Sequence, residues 1–352
     1  MDDFILNGQA SGDVATRLLD NNFNIQVLRP FIGKDGRTYM TVNNEDGTFK
    51  AVPVANANAT LRKNDWLAID AAVIKAAQPR LKLVGDLRGA GLQYTIPNGM
   101  GKTSLESESV SDIEAATISM DGLRQGAPDR PQFGLVNLPL PIIHKDFHFS
   151  ARQVMASRNG GSPLDTTMAE LAARKVAEEC EKLTIGVRDS YSFGGGTVAG
   201  LINFSGVLPK VLTAPTDSAW TPKTFLTEVI AMRELSKAAY YYGPWTLYVG
   251  TGWDAYLDED WKDDSDITLR DRVRQLEGIT DIKTLDYLPG FDVVLLQMTS
   301  EVVRMVIGQE LTTLQWETQG GLQLNFKVMA IMVPQLRSDF NGNTGIVYGA
   351  AA

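Results

Sequence analysis

The stretch from Ser162 to Gly196, S-P-L-D-T-T-M-A-E-L-A-A-R-K-V-A-E-E-C-E-K-L-T-I-G-V-R-D-S-Y-S-F-G-G-G, constrains the fold more than any other. Ser162 suits an N-cap, Pro163 suits the first helical position, and Asp165 is placed to close a capping box. Ala169, Ala173, Val176, Cys180, Leu183 and Val187 recur at alternating spacings of four and three, one apolar stripe on a helix. Glu170/Arg174 and Glu178/Lys182 are i,i+4 pairs with the acid first, the favourable order. Gly194, Gly195 and Gly196 would end the helix in the left-handed region. The reading is a spine helix over 163–192, a rod of about 40 Å at about 1.5 Å per residue.

Composition limits what such a spine can serve. The 352 residues suffice for a large core, and a net charge of -9 argues against a dedicated nucleic-acid binder, which would carry a basic face. The single cysteine, Cys180, lies on the apolar stripe and reads as a small core residue. No run reaches the roughly 18 apolar residues of a membrane span. The acidic start M-D-D-F-I-L lacks a signal's basic region, which points to a reducing cytoplasm.

Away from the spine the pattern is uneven. Residues 1–60 are rich in Asn, Gly and Asp, with short strands expected at Phe23–Arg29 and Thr38–Val42 and a turn at Asn43–Gly47. They read as an extended arm with partners outside its own domain. Asp65 is expected to cap a short helix bearing Trp66, Ile69, Val73 and Ala76, limited by Pro79. Leu92–Ile96 reads as a strand, Ala115–Leu123 as its return, Ser104–Asp112 as polar with no apolar period, and Phe133–Phe149 as a long β-rich run. This is a hairpin with few core residues of its own, marginal in water unless it lies on something else.

Gly200–Phe204 is expected to return to strand. Thr221 and Pro222 then open a helix with Phe225, Val229 and Met232 on one side. Strands at Trp245–Val249, Ile282–Leu285 and Val293–Met298, with helices at Trp253–Trp261 and Thr268–Leu276, make an α/β unit from about 220 to 300. Val302–Ile307, Leu311–Thr318 and Leu322–Val333 are expected to return as strands against the spine, with Gln319-Gly320-Gly321 as a turn.

Candidate chemistry is thin. Gly99-Met-Gly-Lys-Thr103 lacks the first glycine of a phosphate loop, since position 96 is Ile, and a polar stretch rather than a helix follows. His144 and His148 share a face about 13 Å apart on a strand, too far for one metal ion. On a helix they would flank Lys145 where a zinc hydrolase carries Glu. The acid pairs Glu178/Glu179, Asp258/Glu259/Asp260 and Asp263/Asp264 sit on solvated faces, away from the apolar setting that tunes a catalytic carboxyl. There is no G-x-S-x-G, and Cys180 has no histidine near it in sequence. No catalytic, cofactor-binding or metal-binding residue is assigned, and no cofactor is expected.

Four segments carry a resemblance: N-D-W-L-A-I-D-A-A-V-I-K-A-A-Q-P-R-L (64–81), S-M-D-G-L and D-R-P-Q-F-G-L-V…L-P-L-P-I-I-H-K-D-F (within 119–147), S-R-N-G-G-S-P-L-D-T-T-M-A-E-L-A-A-R-K-V-A-E (157–178), and I-M-V-P-Q-L-R-S-D-F-N-G-N-T-G-I-V-Y-G (331–349). With these the chain resembles the major capsid proteins of tailed bacteriophages with the Hong Kong 97-type fold, related to encapsulin shells. The resemblance covers residue 60 to the C-terminus and implies an α+β fold. Its parts would be an N-terminal arm (1–60), a short helical segment (61–84), an extended β-hairpin loop (85–135), a peripheral domain with the spine helix (136–214), an α/β axial domain (215–300) and a second peripheral part (301–352).

The resemblance also implies a function. It is a structural protein, not an enzyme, self-assembling as pentamers and hexamers into an icosahedral head that encloses double-stranded DNA. Expected partners are further copies, portal and scaffold or decoration proteins, and packaged DNA in weak non-specific contact, with no membrane. Expected localisation is the virion, assembled in the host bacterial cytoplasm. The chain starts at Met1 without a long helical scaffold domain, which implies a separate scaffold protein or none. Some members join subunits by a Lys-Asn isopeptide bond, for which Lys102 and Asn341 or Asn343 are the counterparts here, with no catalytic glutamate identified. The rival readings are a nanocompartment shell with protein cargo and a soluble hydrolase.

Overall fold

The computed structural model describes residues 5–6, 9–10, 29–43, 49–54, 61–97, 99–110, 118, 120, 130, 133–159, 166–262 and 266–351. The expected strand at 23–28, the turn at 44–47, most of the returning strand at 115–123 and the helix start at 162–165 lie outside these residues.

The spine helix is Thr167–Ile185. Ala169, Ala173, Val176 and Cys180 are buried as the stripe requires, whereas Leu183 is half-buried and Val187 exposed. The helix stops at Gly186 (φ 93°) and not near residue 192, so its rod is about 28 Å long. The cause is a close approach. A Cβ on Gly200 would lie 2.2 Å from the Gly186 nitrogen, so the two glycines let one chain segment cross the other. Residues 200–204 form turns, not the expected strand, because their N–H groups serve the helix end. Leu201 and Ile202 donate to the carbonyls of Thr184 and Ile185, which the helix leaves open. Gly194 and Gly195 turn a small hairpin, Tyr191–Phe193 against Gly196–Val198. The acids also pair differently from expectation: Glu178 takes Arg174 and Lys175, and Glu179 takes Lys182 and Arg188.

The spine lies on a four-stranded sheet in the order Gln93–Thr95, Val303–Thr318, Gln323–Leu336, Ile143–Ser150. Val303–Thr318 is one strand with bulges around Gln309, where two strands were expected. Gln319, Gly320 and Gly321 turn it into the next strand, each with positive φ. The helix Lys63–Ala77 packs beside the spine. Its N-cap is Arg62, and Asp65 sits at the third helical position, accepting from the Arg62 backbone N–H at 2.9 Å. Aromatic rings fill the space between helices and sheet: Phe147 stacks on Phe326 at 5.2 Å, and Trp66 meets Phe326 edge-on.

The second unit is a five-stranded mixed sheet in the order Leu208–Leu212, Ile346–Ala351, Val293–Gln297, Trp245–Gly250, Ile279–Leu285. Two of these strands lie outside residues 215–300 in sequence. Leu208–Leu212 and the C-terminal Ile346–Ala351 pair in parallel here and not in the spine's sheet. The helix Pro222–Ala238 is capped by Thr221, whose hydroxyl accepts from the Thr224 N–H. Helix Leu269–Arg274 is as expected, but only Asp254–Leu257 is α-helical in the 253–261 run.

Every residue of Trp245–Gly250 is buried, because both faces of its sheet are covered. Leu247, Val249, Val293 and Leu295 face one core with Phe225, Val229 and Trp253. Tyr248, Val294 and Leu296 face the core that contains the spine. Alternate side chains of the same strands therefore weld the two units together.

Candidate assembly surface

The hairpin is built from Ser104–Val110 and Phe133–Pro139, paired antiparallel. This differs from expectation. The polar run at 104–110 is the outgoing strand, while Gln93–Thr95 joins the spine's sheet beside Met305–Ile307. The helix Lys82–Gly89 also precedes the hairpin rather than belonging to it. This strand lacks an apolar period because only Leu105, at its root, meets a core, and the same fact hid it from pattern reading.

Register decides what the hairpin shows. Glu106 is opposite Asn137 and Glu108 opposite Leu135, with Phe133 two residues before Leu135, so these residues share one face. Phe133 is 66% and Leu135 74% exposed, and both glutamates are exposed between them. On the other face Leu105 and Leu138 pack near the base, with Ile96, Leu140, Val198, Val306, Ile331 and Val333. Val136, farther out on that face, is 54% exposed. The hairpin thus has a fixed root and an apolar, acidic outer part that the described chain leaves uncovered.

The root is tightly held. The Asn137 side-chain amide donates to the Gly194 carbonyl at 2.8 Å, and the Gln335 amide to the Ser107 hydroxyl at 3.3 Å. Gly99 lies against Gly308 so closely that a Cβ would meet its carbonyl oxygen at 2.2 Å. This explains the glycines in Gly99-Met-Gly-Lys-Thr103: they form a 3-10 turn against a neighbouring strand, and a β-strand follows.

The other singled-out residues are dispersed. His144 and His148 occupy one exposed face of Ile143–Ser150, while Phe147 and Phe149 point into the core. Cys180 is buried, and burial pushes its thiol up to about 12. Among the described residues no group of three or more His, Cys, Asp or Glu is placed to hold a metal ion. Lys102 is exposed at the hairpin root. Asn343 sits in the turn before the last strand, where its N–H donates to Asp339 and its carbonyl accepts from Tyr241. No helix among the described residues is long and apolar enough to cross a membrane.

One titratable group escaped sequence reading. Glu181 on the spine is only 2% exposed and accepts from the backbone N–H groups of Leu83 (2.7 Å) and Val84 (3.4 Å). Burial raises its carboxyl to about 7, against those hydrogen bonds. Beside it, Asp86 accepts from Tyr248 at 3.1 Å and pairs with Lys283 at 2.6 Å, joining the helix Lys82–Gly89 to the five-stranded sheet. These groups serve helix capping and the junction of the two units. A lone acid inside an amphipathic helix carries no sequence signal of that role.

Solved structures with this architecture are particle shells. The virus-like particle from Pyrococcus furiosus matches 81% of this chain and 99% of its own, at TM-score 0.55 and 15% identity. The capsid of Myoviridae phage XM1 matches 71% and 86%, at TM-score 0.56 and 9% identity. The capsid of a native GTA particle matches 76% and 89%, at TM-score 0.55 and 14% identity. Identities this low establish the fold alone. A comparison with curated protein sequences finds no match. A family model described as a family of unknown function, DUF6260, matches residues 56–349. Spine, long ribbon, rooted hairpin and five-stranded sheet thus form the Hong Kong 97-type capsid fold, and the chain belongs to the DUF6260 family.

Proposed function

We propose that this chain is a major capsid protein: a structural subunit that assembles, as pentamers and hexamers, into an icosahedral phage head enclosing double-stranded DNA. The observation that carries the reading is the hairpin face bearing Phe133 and Leu135, held at its root and, among the described residues, uncovered beyond it. Burying two such side chains on a second copy is worth about 3–6 kcal/mol per contact. Repeated around a closed shell, modest contacts add to a durable assembly. Residues 1–60 act as the arm and the hairpin as the extended loop. The spine with its four-stranded sheet is the peripheral domain, and the five-stranded unit the axial domain. The role is structural and not enzymatic, the place of action is the virion assembled in a host bacterium, and portal, scaffold or decoration proteins are the further partners.

A second reading, a nanocompartment shell with protein cargo, draws on the virus-like particle whose chain is matched over 99% of its length. Expression of the full chain, followed by size-exclusion chromatography and electron microscopy, tests both. Closed shells are expected. Nuclease-protected DNA inside particles from the native source supports the phage head, and a single enclosed protein supports the nanocompartment. A stable monomer that turns over a substrate defeats both.

A further inference from the structure

Many cations of this acidic chain are neutralised at short range. Arg29 pairs with Asp70, Lys82 with Asp286, Arg88 with Glu310, Arg174 with Glu178, Arg270 with Asp254, and Lys283 with Asp86. Among the described residues others stand unpaired, and three of these line one cleft. A cleft of about 890 Å³ lies between the turn Gly33–Arg37 and the start of the helix Lys63–Ala77, and Lys34, Arg62 and Lys63 all line it. All three are exposed, and among the described residues none has an ion-pair partner. The one carboxylate in the lining, Asp35, is already engaged. It accepts from the Tyr39 hydroxyl at 2.8 Å and the Arg37 N–H at 3.2 Å, and faces the Arg37 guanidinium.

The cations are held together by the fold. Ile32 donates to the Leu61 carbonyl, the Trp66 indole donates to the Pro30 carbonyl at 3.1 Å, and Arg29 grips both oxygens of Asp70 while lying over the Trp66 ring. The turn carrying Lys34 is thereby stapled to the helix start carrying Arg62 and Lys63. Three positive charges on one cleft repel one another, and an anion seated among them relieves that repulsion.

We propose that this cleft binds the phosphate backbone of DNA, without base readout. Point-charge lysines beside one arginine, in an open cleft, match a repeating polyanion that is held without a fixed register. The inference rests on the shell reading, which supplies the DNA, and it assigns this face to the shell interior.

The test uses the full-length chain before assembly and a labelled short duplex of random sequence, with binding followed by anisotropy across a salt series. The variant K34Q/R62Q/K63Q is expected to lose about 2.7 from the slope of log affinity against log salt, at about 0.9 per released phosphate contact. K34R/R62K/K63R keeps the wild-type slope, and both variants still form particles. Should the triple variant fail to fold by circular dichroism, each single glutamine variant is read instead, with about 0.9 lost apiece. An unchanged slope overturns the proposal. So does a folded triple variant that keeps its slope but stops assembling, which would make an acidic surface of another copy the occupant. A wild-type chain that forms no particles defeats the shell reading and leaves the slope measurement standing on its own.

Discussion

The strand Trp245–Gly250 and the strand Phe133–Pro139 are both rich in apolar residues, yet the first has every side chain buried and the second exposes its first four. The difference lies in what covers each sheet. Trp245–Gly250 is flanked by two strands and packed on both faces, one by Phe225 and Trp253 and the other by the spine's core. Among the described residues, Phe133–Pro139 has one paired strand and a core only at its root. Apolar content alone does not say which contacts are internal. A strand covered by its own chain builds the subunit, and a strand left bare within it is available to the assembly.

Three measurements break or sharpen that contrast, in order of expected effect. Trp253 is fully buried among Phe225, Phe291 and Trp220, and its indole donates to the Phe291 carbonyl. Trp253→Ala should cost about 3–5 kcal/mol of subunit stability in urea unfolding, because it opens a cavity in a core the chain cannot refill.

Next is the junction at Glu181, whose carboxyl burial raises to about 7 from an ordinary 4.5. A raised carboxyl favours folding fully below the unfolded value and loses that contribution as pH rises through the folded one. The unassembled subunit should therefore lose on the order of 3 kcal/mol between pH 4.5 and 7 from this residue, at about 1.4 kcal/mol per unit. Glu181→Gln should remove that part of the pH dependence while still accepting the Leu83 N–H. The check is the difference in urea midpoint between wild type and variant across the window. Equal slopes would show that Glu181 does not carry it.

The smallest effect on the subunit should come from the hairpin. Phe133→Ser with Leu135→Ser should change subunit stability by about 0.5 kcal/mol or less, since neither side chain has a core to leave. Particle yield should nevertheless collapse. A double variant that assembles normally would place the essential contact elsewhere on the molecule.

Much of this was legible in the chain, for identifiable reasons. The helix at 222–238 carries its own start signal in Thr221 and Pro222 and its own period in Phe225, Val229 and Met232, all local features. The spine's buried stripe and the turn at Gln319–Gly321 were readable in the same way. Other features are set by residues far apart in sequence. The early end of the spine needs Gly200 to pass Gly186, and nothing near residue 186 announces that crossing. Leu208–Leu212 and Ile346–Ala351 find each other across more than a hundred residues, which is why neither is readable as a strand from its own neighbourhood. The outgoing hairpin strand is not readable because Leu105 alone marks its inner face.

The sequence by itself determined where the helix after Thr221 begins, which faces of that helix and the spine seek a core, and that one β-rich limb lacks a core of its own. These follow from capping, periodicity and composition, which act over a few residues. Only the tertiary structure decided which strands share a sheet, where Glu181 is buried, and that Phe133 and Leu135 stand on one uncovered face with two glutamates. Those outcomes depend on register and close approach between distant segments, and a one-residue shift in register would have turned that face inward.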